Sequence, residues 1–322
     1  MKRGESGLSL VLGINKGLGM TSHDVVNTCR RIFGEGRVGH AGTLDPDASG
    51  VLIVGVGPAT RMNQFFLGQD KIYEAEIIFG AETNTDDAAG EITRRASIPL
   101  YISSKAFACD YLSRFTGRLC QIPPQYSAVK INGVPAYKKA RAGKTPDLAS
   151  RVVDIYAADL LDLDVCAGGK EPIWTVRFHV SSGTYIRSLA RDIGRDLHSA
   201  AHILSLSRTR LGNLSVNDCV DLDELAVLKE KAALNPLDIL GLRSIKLASS
   251  NPIQNGNPLK YDGETIYSSE AHGTAIPSPE PLYDSEVLGL VVDDCLHALY
   301  RYDKDSQLLK SVCGFSIGVK LP

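Results

Sequence analysis

The chain has no apolar run of roughly eighteen residues, so no segment is long enough to cross a bilayer as a helix. Leu8 to Ile14 is too short and too broken by glycine to serve as a secretory core segment, and the protein is expected in the cytoplasm, with no membrane partner. It has no excess of either charge. With 35 Lys and Arg against 37 Asp and Glu, the formal net charge is −2, and bulk charge alone does not mark a nucleic-acid binder. The 7 cysteines are odd in number and never spaced as C-x-x-C, which argues against a zinc site and a disulfide framework. No metal ligand set and no cofactor motif are found. A Walker loop, a G-x-S-x-G elbow and the H-x-E with P-C-x-x-C pattern of zinc deaminases are all absent. Gly34-Glu-Gly-Arg-Val-Gly39 matches G-x-G-x-x-G literally. It follows a predicted helix rather than a strand, and no acid lies about twenty residues on, so it does not bind a dinucleotide.

What the chain does have is the block Arg37-Val-Gly-His-Ala-Gly-Thr-Leu-Asp-Pro-Asp-Ala-Ser-Gly50. A lone Asp-Pro is an ordinary surface turn. Here Pro46 pushes Asp45 away from helical backbone, and Gly39, Gly42 and Gly50 let the flanking chain bend, so one carboxylate is held stiffly near His40. Two basic stretches could meet phosphate: Lys130, Lys138, Lys139, Arg141, Lys144 and Arg151, and then Arg187, Arg191, Arg195, Arg208 and Arg210, the second diluted by Asp192 and Asp196. Solvated helix faces are the plainer reading of either. Acids collect at Asp218, Asp221, Asp223 and Glu224.

At 322 residues the chain exceeds the usual single domain, and two domains are expected. Thr21 and Asp24 form a capping box before a helix over 22–33, with Val25, Cys29, Ile32 and Phe33 on one face. The Asp45 block follows as a loop. Strands are predicted at 51–56, 71–79, 126–131, 151–163 and 174–180, with a turn at Asn132-Gly133 and a short basic helix after it. Phe107, Tyr111 and Phe115 imply a helix stopping near Gly117, and Ile186, Leu189, Ile193 and Leu197 imply another after the turn at 181–184. From about 236 short strands dominate. Leu288 to Val292 and Leu296 to Tyr302 read as a hairpin, and 268–285 reads as a loop or flexible insertion rich in Ser, Pro, Glu and Gly.

The Asp45 block resembles the signature of the TruB family of pseudouridine synthases, roughly G-H-x-G-T-L-D-P-x-A-x-G-V-L, which His40, Gly42 to Pro46, Ala48 and Gly50-Val51-Leu52 fit. The likeness extends upstream to Asn15-Lys16 and Met20 to Asp24. Downstream it takes in Lys71-Ile-Tyr73, Gly80 to Asp87, Gly90, Ile122 to Lys130, Gly183 to Ser188 and Ala201-His202, about two-thirds of the chain. One departure is Asn15-Lys16-Gly17, where the family usually has proline after the lysine.

The resemblance implies an α+β fold: a pseudouridine synthase catalytic domain over 1–235, with a mixed, largely antiparallel sheet flanked by helices, and a small β-rich, PUA-like RNA-binding domain over 236–322. It implies isomerisation of uridine 55 in the T-loop of tRNA, without metal, cofactor, guide RNA or an obligate protein partner. It makes Asp45 the catalytic carboxylate, as nucleophile or as base. By place alone Tyr73 reads as core and Arg187 as a surface arginine; by resemblance Tyr73 stacks on the uracil and moves the C5 proton, while Arg187 pairs with Asp45. Tyr185, Leu206 and His40 would line or fill the space of a flipped base, and Lys71 would touch substrate or serve structure. Three other readings stay open: a non-catalytic RNA chaperone on the same fold, a guide-dependent synthase, and a glycosidase of free nucleosides, which would release uracil.

Overall fold

A computed structural model describes residues 4, 6–127, 129–131, 133–136, 139, 148–165, 171–269 and 275–322. Residues 1–69 with 210–322 form one compact unit and residues 70–209 a second.

The first unit opens with β1 (Leu10–Lys16), which pairs antiparallel with β3 (Ala48–Val56). Between them lie α1 (Ser22–Phe33) and β2 (Val38–Ala41), and β2 also pairs with β3. α1 has the expected bounds, and its capping box is present: Thr21 Oγ1 accepts from the Asp24 amide, and Asp24 accepts from the Thr21 amide. Gly34 ends α1 in the left-handed region, so the G-x-G-x-x-G glycines do follow a helix. The block expected to be all loop is partly strand. His40 lies in β2 opposite Val54, and β3 begins at Ala48, because Val38, Ala41 and Ala48 bury their side chains in the sheet; only residues 42–47 remain as loop.

The first unit's opening stretch ends with a short α2 (Asn63–Leu67), and the second unit carries β4 (Lys71–Phe79), the ribbon β5 (Ala81–Thr83) and β6 (Ile92–Arg95), α3 (Lys105–Arg114), β7 (Gly117–Gln121) and the short pair β8 (Lys130–Ile131) and β9 (Val134–Pro135). β10 (Arg151–Asp164), β11 (Ile173–Val180), α4 (Ile186–Asp196) and β12 (Ala201–Leu211) follow. Within this unit the sheet order is β12-β4-β11-β10-β7, with β4-β11, β11-β10 and β10-β7 antiparallel. Tyr73, Ala75, Ile77 and Phe79 alternate into the core as expected, beside Trp174, Val176 and Phe178 of β11.

Two expectations fail locally. Among the described residues of the strand predicted at 126–131, only the last two, Lys130–Ile131, lie in a strand. The helix predicted to stop near Gly117 ends at Arg114, and Gly117, with φ 94°, opens β7 instead. Most of the short basic helix expected after Asn132-Gly133 lies outside the described residues; Ala136 and Lys139, which are described, are helical.

The chain returns to the first unit through β13 (Leu214–Ser215), α5 (Leu222–Leu228) and α6 (Pro236–Leu240). Three of the acids at 218–224 serve as caps: Ser215 with Asp218, and Asp221 with Glu224, form two further capping boxes. A seven-stranded sheet follows in the order β15-β20-β19-β18-β14-β16-β17, built from β14 (Ser244–Lys246), β15 (Leu259–Lys260), β16 (Ile266–Ser269), β17 (Ala275–Pro277), β18 (Val287–Val292), β19 (Cys295–Asp303) and β20 (Leu308–Lys320). It is the β-rich C-terminal domain expected. The β18-β19 hairpin turns at Asp293 and Asp294, both left-handed at φ 47° and 54°, the geometry of a tight two-residue turn. Within 268–285, β17 pairs with β16, and the Arg243 guanidinium binds the carbonyls of Glu280 and Pro281. One face of this sheet, through Leu296, Leu299 and Phe315, packs with Val11, Val51, Ile53 and Phe66 in the core of the first unit; Leu288, Leu290 and Tyr300 belong to a separate core cluster.

Candidate functional site

Asp45 is half-buried at the tip of the 42–47 loop, and the backbone on each side of it is tied down. On one side Ser22, buried at the start of α1, donates to the Leu44 carbonyl (3.0 Å) and accepts from the Leu44 amide (2.9 Å). On the other, the Pro46 carbonyl accepts from the Gly19 amide (2.9 Å) and from Lys16 Nζ (3.3 Å). The Lys16 side chain, fully buried at the end of β1, also donates to the carbonyls of Gly17 and Met20, both at 2.8 Å. One ammonium thus ties the 17–20 bend to the Asp45 turn with charge-assisted bonds. Gly42, at φ 81°, starts the loop with a bend other residues rarely adopt. The sequence pointed to this turn but not to its fastenings: Ser22 and Lys16 stood inside matched motifs, and nothing in their spacing names their partners.

Of the remaining candidates, His40 lies on β2 in the first unit, and the others lie in the second. Lys71 and Tyr73 share the buried face of β4. Arg208, itself 1% exposed on β12, sets its guanidinium carbon 6.0 Å from the centre of the Tyr73 ring, with Nη1 3.5 Å from the tyrosine hydroxyl. Burial and the neighbouring Arg208 charge bring Lys71 down to about 8, so it stays largely protonated at neutral pH and begins to lose its proton just above it. Arg208 is a contact the sequence did not assign, read only as one of a row of basic residues. Leu206, two residues earlier on the same strand, is half-buried.

Tyr185 precedes α4. Its backbone is bridged by the Gln121 side chain, which accepts from the Tyr185 amide at 2.8 Å and donates to its carbonyl at 3.0 Å, and the Arg151 guanidinium lies 5.3 Å from the centre of its ring. Arg187, in the first turn of α4, is buried. It donates through Nη1 to the Thr85 carbonyl (2.8 Å) and to Asp87 Oδ2 (3.1 Å), and through Nη2 to the Tyr126 carbonyl (3.0 Å). Asp87 is oriented in turn by the Thr85 hydroxyl and the Ala89 amide on its other oxygen.

Three arginines of the second basic stretch are therefore held by acids of the 82–87 segment. Arg187 meets Asp87, Arg191 meets Asp86 at 2.9 Å, and Arg195 meets Glu82 at 2.7 Å. Arg187 and Arg191 are enclosed rather than solvated, while Arg195 stays about half exposed. Helix spacing alone could not reveal this, since the partners lie about a hundred residues away. Among the described residues no group of His, Cys, Asp or Glu is arranged to hold a metal ion, and the six described cysteines are free thiols.

The fold is that of pseudouridine synthases. A structure of an H/ACA RNP bound to a substrate RNA containing 2′-deoxyuridine superposes with a TM-score of 0.64 at 22% identity, covering 97% of this chain and 85% of that one. A Cbf5-Nop10-Gar1 complex gives 0.65 at 24% identity over 98% and 84%. The model of the TruB family pseudouridylate synthase N-terminal domain matches residues 30–186, and that of the tRNA pseudouridylate synthase B C-terminal domain matches 187–240. Proteins named tRNA pseudouridine synthase B are similar at the level of sequence. That of Streptococcus pneumoniae (strain D39) is 41% identical over 71% of this chain and 77% of its own length, that of Thermobifida fusca 46% over 67% and 74%, and that of Mycobacterium ulcerans 41% over 83% and 89%. The chain belongs to the TruB family of pseudouridylate synthases.

Proposed function

We propose that this chain isomerises uridine 55 in the T-loop of tRNA to pseudouridine, with Asp45 as the catalytic carboxylate. The observation that carries the reading is the seat of Asp45, on a short turn whose backbone is fastened at Leu44 by Ser22 and at Pro46 by Gly19 and Lys16. Such a turn holds a carboxylate on a fixed bearing, which reaction at a sugar carbon requires.

The bond between uracil N1 and C1′ breaks, the base turns, and a bond forms between C5 and C1′. The C5 proton leaves, N1 ends protonated, and nothing is oxidised, hydrolysed or lost. A base in folded tRNA is out of reach, so the nucleotide must first be extruded, at about a few kcal/mol of lost stacking. Asp45 attacks C1′ or stabilises an oxocarbenium-like centre there, as carboxylates do in glycoside chemistry. Tyr73 supplies an aromatic face and a hydroxyl for the proton at C5, with the Arg208 guanidinium near that hydroxyl. Tyr185, Leu206 and His40 contribute apolar and aromatic surface for the extruded base, Lys71 contributes positive charge, and Arg187 balances the anionic centre. The enzyme works in the cytoplasm on tRNA, without guide RNA or cofactor.

Tritium release from C5-labelled uridine in an unmodified tRNA transcript tests this, with Asp45→Asn and a T-loop-altered transcript alongside. Release by the native enzyme that both changes abolish is expected. Release that persists in Asp45→Asn would remove the carboxylate from the mechanism, and tight tRNA binding without release by the native enzyme would remove the activity.

A further inference from the structure

Arg187 and Arg191 stand one turn apart on α4 and so share a face of the helix. Their guanidinium groups reach the same two pieces of chain. Arg187 binds the carbonyl of Thr85, the carboxylate of Asp87 and the carbonyl of Tyr126. Arg191 binds the residue between the first two, Asp86, through Nη1 at 2.9 Å, and the carbonyl of Ile122 through Nη2 at 2.9 Å, while its Nε bonds Asp192. The Arg187 side chain is buried and that of Arg191 nearly so, at 8% and 11% exposure. The 85–87 segment and the 122–126 segment are thus each fastened twice to one helix.

The backbone of Asp86 adopts φ 61°, which a residue with a side chain rarely takes up unless tertiary contacts hold it. The conformation accompanies a division of labour: Asp86 pairs with Arg191 and Asp87 with Arg187. The Asp86 amide donates to Thr83 and its carbonyl accepts from Ile203. Burial lifts the Asp86 carboxyl to about 6 against the opposing pull of Arg191 and then Arg187, with Asp192 adding to the rise and Arg195 lowering it, so the carboxylate is ionised at neutral pH beside its arginine.

We infer that Arg191 and Asp86 are positioning residues for Arg187, setting the distance between the Thr85–Asp87 and Ile122–Tyr126 segments and so the direction in which the Arg187 guanidinium is held. This rests on the proposed function, in which Arg187 balances charge at the reacting centre. The planar fork of Arg191 is what spans the two segments at once; a lysine there keeps the charge but reaches one acceptor well.

The test uses the full chain with Arg191→Met, Arg191→Lys and Asp86→Asn, assayed for tritium release from tRNA, with Asp45→Asn as the control for the reaction itself. Arg191→Met is expected to lower kcat by about tenfold or more with KM changed by less than about threefold, Arg191→Lys to recover part of it, and Asp86→Asn to fall between. An Arg191→Met enzyme that is less stable but keeps kcat per folded molecule would overturn the inference and leave the proposed function standing. A native enzyme without release, or an active Asp45→Asn, would overturn the proposed function. The inference then stands or falls on NMR of the Arg187 guanidinium, whose Nη protons should be resolved by hindered rotation in the native protein and averaged in Arg191→Met. Identical Arg187 signals in the two proteins would overturn it.

Discussion

Replacing Glu82 with glutamine isolates the electrostatic anchor between β5 and α4. The Glu82 side chain is 5% exposed and receives Arg195 Nε at 2.9 Å and Nη2 at 2.7 Å, together with the Arg94 guanidinium. Burial alone would raise its carboxyl, but the bonds from Arg195 and Arg94 outweigh it and bring it down from 4.5 to about 2. A depression of that size corresponds to about 3 kcal/mol of stability at neutral pH. Arg94 and Arg195 are 43% and 55% exposed, so water screens part of this, and about 2 kcal/mol is the expected loss in Glu82→Gln. The sign follows from the depressed value: the contribution is fully present above 4.5 and disappears as pH falls towards 2. Trp174, the only tryptophan, is buried in the same unit, so its fluorescence in denaturant reports on the relevant unfolding. The difference between native and Glu82→Gln should be steady from pH 7 to about 5 and shrink steadily below 4.5. A difference that does not change between pH 7 and 3 would refute the electrostatic reasoning and leave packing as its source.

Ser22→Ala removes both bonds that hold Leu44, should cost about 1–3 kcal/mol in calorimetry, and should lower kcat more than it raises KM, since it loosens the turn of Asp45. Asp87→Asn leaves Arg187 an acceptor but no charge, and a fall in kcat of about tenfold to a hundredfold with nearly unchanged tRNA binding is expected from kinetics and filter binding. Gly194→Ala places a Cβ 2.5 Å from the backbone nitrogen of Ala201, so the end of α4 must move away from β12, costing about 1–3 kcal/mol in Trp174-monitored unfolding.

What could be read in advance follows from how local its cause is. α1 was legible to the residue, because a capping box and an apolar face are written within thirteen consecutive positions, Thr21 to Phe33. β4 and β11 were legible because alternation needs only neighbours. β1 and β12 went unassigned. Leu10–Lys16 is an almost continuous apolar run interrupted by glycine, and Ala201–Leu211 mixes buried and exposed positions without a clean period, so neither carries the two-residue signal of a half-buried strand. The candidate residues were found through matched motifs, whereas their contacts were not. Arg187 with Asp87, Arg208 with Tyr73 and Lys16 with Pro46 join residues 100, 135 and 30 positions apart, distances at which one sequence holds no information on pairing.

The two groups given the central roles are secured by opposite means. Around Asp45 the fastenings act on backbone: a hydroxyl at Leu44, and an amide and an ammonium at Pro46. The carboxylate is aimed because the peptide that carries it cannot turn. Arg187 sits on a helix whose backbone is already fixed, and its long side chain has several rotatable bonds to restrain, so the fastenings act on the guanidinium itself, through two carbonyls and a carboxylate. A short acid on a loop and a long base on a helix call for these different solutions, since the freedom to be removed lies in the backbone of one and in the side chain of the other. The lysine that lacks its usual proline neighbour fits the same account. With Gly17 in that place, the Lys16 ammonium still joins the carbonyls of Gly17 and Met20 in the 17–20 bend to that of Pro46 beside Asp45, and the Gly19 amide joins the two segments a second time.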